Sequence, residues 1–64
     1  MRTISDDIAV RLYHLGDDGS AATLLYGTLG EALALAARQE DDVQDDLFLQ
    51  TRDDVVGYRD FIEG

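Results

Sequence analysis

Residues 28–40 constrain the fold of this chain more than any other stretch, because their pattern fits a helix and little else. Thr28 followed three residues later by Glu31 is the spacing of a capping box, in which each side chain satisfies an amide left unpaired at a helix start. Leu29, Ala32, Leu33, Ala36 and Ala37 then recur at helical spacing and gather into one apolar stripe, with Glu31, Ala34 and Arg38 on the opposite side. Acid at residues 40–42 opposes the helix macrodipole, so the helix is expected to stop there. Such a stripe needs an apolar surface to lie on, and Ile8, Val10, Leu12, Leu24 and Leu49 are the expected floor. Leu33→Ala is expected to cost about 2–5 kcal/mol.

The segments around this helix read as strands. From Ile8 the chain alternates, with Ile8, Val10 and Leu12 on one side and Arg11 and Tyr13 on the other. Residues 16–20 are a dense turn signal containing Asp18-Gly19. A three-residue loop over 17–19, with Gly19 left-handed, sets Leu12 opposite Leu24 and Val10 opposite Tyr26. It also sets Tyr13 beside Thr23 and Arg11 beside Leu25 on the second face. The second strand then spans 21–26, with Gly27 as a joint. Beyond the helix, 41–46 form a charged connector with Val43 pointing inward, and 47–51 form a third strand with Leu47 and Leu49 in the core.

The last segment admits two readings. As a helix, Thr51 caps it, Asp53 and Asp54 fill its first turn, and Val55, Tyr58 and Ile62 share a face. As a strand, 55–62 pair with the third strand through a turn at 51–54, although that turn lacks the Gly or Asn that a tight hairpin favours. The helix is preferred. The expected fold is therefore α+β: one domain over residues 1–64, with 1–7 a frayed lead-in. An antiparallel sheet is covered on one face by the central helix.

Sixty-four residues bury only about 60% of the surface exposed when unfolded. No cysteine is present to staple the fold and no His/Cys cluster to hold zinc, so oligomerisation is the expected remedy. No apolar run approaches a membrane span, and the acidic N-terminal residues do not resemble a signal peptide, so a cytoplasmic location is expected. The net charge of −9 argues against direct contact with nucleic acid or anionic membrane and favours basic partners. Aspartates arrive in doublets at 6–7, 17–18, 41–42, 45–46 and 53–54, and every basic residue is arginine. Adaptation to high salt and a GC-rich genome both fit that bias, and the second is the simpler account.

No catalytic or cofactor motif is present. His14 lacks a partner, and the nearest acids, Asp17 and Asp18, serve as turn formers. An EF-hand reading from Asp42 fails, with Leu47 where the turn glycine belongs. Gly27 and Gly30 flank a helix start, but Glu31 occupies the place of an anion. An enzyme, a cofactor and a specific metal site are therefore not expected. What remains is surface. Arg11, Tyr13, Leu25 and Phe48 are expected on the sheet face away from the helix, an aromatic and arginine mixture of the kind enriched at interfaces. The expected function is a non-enzymatic interaction or regulatory domain. Its partner is a second copy or another protein, possibly basic, met on that face or at a sheet edge. The alternative is an acidic mimic of nucleic acid that blocks a basic groove.

Overall fold

The computed structural model describes residues 8–63; the expected lead-in 1–7, with its Asp6–Asp7 doublet, lies outside them. The elements run β1 (Ala9–Leu15), β2 (Ala21–Thr28), α1 (Leu29–Ala37), α2 (Asp41–Gln44), β3 (Leu47–Gln50), β4 (Val55–Gly57) and α3 (Tyr58–Glu63). The strands form one antiparallel sheet in the order β2-β1-β3-β4, so the fold is α+β as the pattern predicts.

The first hairpin closes over residues 17–19. Gly16 N–H donates to Ser20 O at 2.7 Å, and Gly19 N–H donates to Gly16 O at 2.9 Å. Gly19 has φ 86°, a left-handed conformation that costs a glycine little. The Asp18 carboxylate braces the loop by accepting from the Ser20 amide (3.0 Å) and hydroxyl (2.7 Å). These two bonds hold the Asp18 pKa below its ordinary value.

The expected register holds from the loop to Tyr13 opposite Thr23 and then changes. A β-bulge at Leu24 inserts one residue, after which Leu12 lies opposite Leu25, Arg11 opposite Tyr26 and Val10 opposite Gly27. The bulge lets Leu24 and Leu25 both pack against the core. Beyond it, Tyr26 takes the opposite face. The expectations that Leu25 faces away from the helix and that Tyr26 sits beside Val10 are thereby corrected.

α1 begins with the predicted capping box. Thr28 Oγ1 accepts from the Glu31 amide at 3.1 Å, and Glu31 Oε1 accepts from the Thr28 amide at 2.9 Å. Leu29, Ala32 and Ala36 are buried, while Leu33 and Leu35 are half-buried and Ala37 is exposed. The helix ends at Ala37 instead of Glu40. Its C-terminal carbonyls are met by amide side chains: Gln39 Nε2 donates to Leu35 O and Gln44 Nε2 to Ala36 O. The acids that stop α1 open the next helix, where Asp41 and Asp42 occupy the favourable first turn of α2. Val43 packs inward.

At the C-terminal end the strand and helix readings each hold for a part. Residues 51–54 form the turn, Val55–Gly57 pair with β3, and the helix starts at Tyr58, seven residues after its expected cap. Thr51 supplies what the turn lacks in glycine. Its Oγ1 accepts from the Asp54 amide at 3.0 Å, and its own amide donates to Asp54 O at 2.8 Å. α3 buries Tyr58 and packs Phe61 against the core. Arg59 ties α3 to α2 through Asp41 and Asp45, at 3.6 and 3.5 Å. The buried core is Val10, Leu12, Leu29, Ala32, Ala36, Leu47, Leu49 and Tyr58. Ile8, expected in the floor, is 37% exposed.

Candidate interaction surface

β1, β3 and the far part of β2 alternate, so every second side chain lies on the face away from α1 and α3. Two cross-strand rows result. One runs Tyr26, Arg11, Gln50, Val55, and the other runs Thr23, Tyr13, Phe48, Gly57. The middle of this face is organised by its own contacts. The Tyr13 and Phe48 rings stack with centroids 5.5 Å apart and planes 20° apart. The Arg11 guanidinium carbon sits 4.7 Å from the Tyr13 ring centroid. Arg11 Nε donates to Thr23 Oγ1 at 2.7 Å, and its Nη1 donates to Gln50 Oε1 at 3.3 Å. One arginine thus joins three strands, and its orientation is fixed by two hydrogen bonds and a cation–π contact.

Of the four residues expected on this face, Arg11, Tyr13 and Phe48 are brought together, and Leu25 is turned into the core. Tyr26, 75% exposed, stands in the position expected for Leu25, and Val55 on β4 is 54% exposed. The adjacent leucines 24 and 25 are the sequence signal for this exchange, since two neighbouring side chains share one face of a strand only through a bulge.

The electrostatics of the surface are uneven. The four strands contain none of the chain's 14 acidic residues. The uncovered face therefore presents no strand carboxylate, and Arg11 is its central charge. Doublets 17–18, 41–42 and 45–46 gather instead at the sheet end that carries the first hairpin loop and α2. There Leu15 N–H donates to Asp46 O at 2.9 Å. Doublet 53–54 occupies the turn at the other end.

The other candidate groups lie apart from one another among the described residues. His14 lies between Ala22 and Leu47 on the neighbouring strands, neither of which can exchange a proton with it. The Thr28 amide at the glycine-flanked helix start is taken by Glu31. Among the described residues no group of three or more His, Cys, Asp or Glu side chains is placed to hold a metal ion. No helix among them is long and apolar enough to cross a membrane. An open groove of about 840 Å³ lies on the helix side, floored by Leu29, Leu49, Val56 and Phe61 and rimmed by Arg52 and Asp53. Comparison of the chain with protein-family models, curated proteins and solved structures returned no match.

Proposed function

We propose that this protein is a non-enzymatic interaction module that works as a homodimer in the cytoplasm, with the uncovered sheet face as its working surface. The observation that carries the reading is the Arg11–Tyr13–Phe48 ladder, extended by Tyr26. It is an ordered patch of aromatic and guanidinium groups, free of strand carboxylates, on a strongly acidic chain. Aromatic and arginine side chains are the groups from which interface hot spots are built. Small size, absent cysteines and a sheet covered on one face all favour association as a source of stability. Cytoplasmic location rests on the absence of cysteine. Sedimentation velocity between about 5 and about 500 µM tests the reading. Growth of a dimer boundary is expected, and a monomer across that range overturns self-association.

A second reading is supported by the gathering of three aspartate doublets at one end. That end would occupy a basic groove as a mimic of nucleic acid, with affinity falling steeply as salt rises. Competition against DNA for a basic DNA-binding domain distinguishes it. Displacement at low salt and none at high salt is expected of a mimic, and no displacement at low salt removes the reading.

A further inference from the structure

We infer that two copies join along the β2 edge, pairing antiparallel about a two-fold axis between Leu24 and Leu25 to make one continuous eight-stranded sheet. The inference rests on the self-association proposed above and specifies its geometry.

The two edges of the sheet differ. β4 is three residues long and runs directly into α3, which leaves little strand to pair. β2 is eight residues long and forms the other edge of the described sheet. Exposed edges are normally protected by charge or proline. Residues 19–30, which contain all of β2, are the longest uncharged run in the sequence, and the chain has no proline. In a protein that is 30% charged, β2 itself carries no charge, and the Glu31 carboxylate closes only its Thr28 end.

The backbone sets where pairing can occur. Leu29 N–H donates to Ile8 O, and the alternation of an antiparallel ladder then turns the N–H and C=O of Tyr26 away from β1. On the other side of the bulge the same alternation, counted from the Gly16–Ser20 pair, turns those of Thr23 outward. The Thr28 amide is closed off by Glu31. Overlapping β2 with its copy along its whole length sets Tyr26 opposite Thr23 of the second copy, and Thr23 opposite its Tyr26. The groups that point outward then meet each other, and both bulges lie at the axis.

Between the two orientations charge favours the antiparallel one, although each join also brings the Glu31 carboxylate beside Thr28 toward the Asp17–Asp18 loop of the other copy. Antiparallel pairing sends the acidic ends, with their doublets at 17–18, 41–42 and 45–46, to opposite ends of the joined sheet. A strand of eight residues spans about 26 Å, beyond two screening lengths of about 8 Å each. A parallel arrangement would set the acidic ends side by side. The join also places the Arg11–Tyr13–Phe48 ladders of both copies on one continuous face.

Isotope-filtered NMR on a mixture of labelled and unlabelled protein tests the arrangement. Contacts between Tyr26 of one copy and Thr23 of the other are expected, with amide exchange at both residues slowing as concentration rises. Tyr26→Pro removes an outward amide without removing a β1–β2 bond, and it is expected to give a folded monomer. The wild-type contacts decide the matter if that variant does not fold. A dimer that lacks them and instead perturbs Tyr13 and Phe48 overturns edge pairing while leaving self-association intact. A monomer at every concentration overturns both.

Discussion

Thr28 and Glu31 act as one unit at the start of α1, each accepting from the other's amide. Loss of either side chain therefore leaves an amide of the first turn without its partner. Thr28→Ala and Glu31→Ala are each expected to cost about 1 kcal/mol in denaturant unfolding. The double variant should cost less than the sum, because the second removal finds the box already open. Gly27 belongs to the same unit, since a Cβ there would meet Glu31 Oε1 at 2.6 Å. Asp18 is a pH-sensitive counterpart in the hairpin loop. Its folded pKa is lowered from 3.8 first by the Ser20 amide and then by the Ser20 hydroxyl. A lowered carboxylate pKa favours the folded state above the unfolded value, and that contribution disappears as pH falls through the lowered folded value. NMR titration of Asp18 should therefore give a midpoint under 3.8 in the wild type, moved upward in Ser20→Ala.

At the scale of elements, Leu12 separates core from periphery. It is fully buried in β1, flanked by Leu25 and Leu49 on the neighbouring strands. Leu12→Ala should cost about 2–5 kcal/mol, a large share of the stability of so short a chain. Leu33→Ala should cost less than Leu12→Ala, because Leu33 is half-buried at the side of the helix stripe. Thermal unfolding of the two variants checks the order, and an equal loss would contradict this placement of the core. The capping box, the alternation of β1 and the Gly19 loop were legible because each depends on residues close in sequence. The bulge at Leu24 had only the adjacent leucines 24 and 25 as a local sign, since it follows from tertiary demand for both of them in the core. For the same reason three of the four expected surface residues were found and Tyr26 was missed. The C-terminal boundary was obscured because the Thr51 hydroxyl closes the β3–β4 turn, a role that in sequence looks the same as a helix cap.

At the scale of the whole molecule, the described residues form a sheet covered by helices on one side, with the uncharged strand β2 at one edge. If two copies meet along β2, folding and association are linked, and stability must depend on protein concentration. A hundredfold rise in concentration is worth about 2.7 kcal/mol to a folded dimer, or about half that per chain. For a domain of this size that corresponds to an increase in Tm of about 5 °C or more. Scanning calorimetry of the wild-type chain at about 5 and about 500 µM is the most direct measurement. A higher Tm is expected in the concentrated sample, and an identical Tm in the two would rule out folding linked to association along β2.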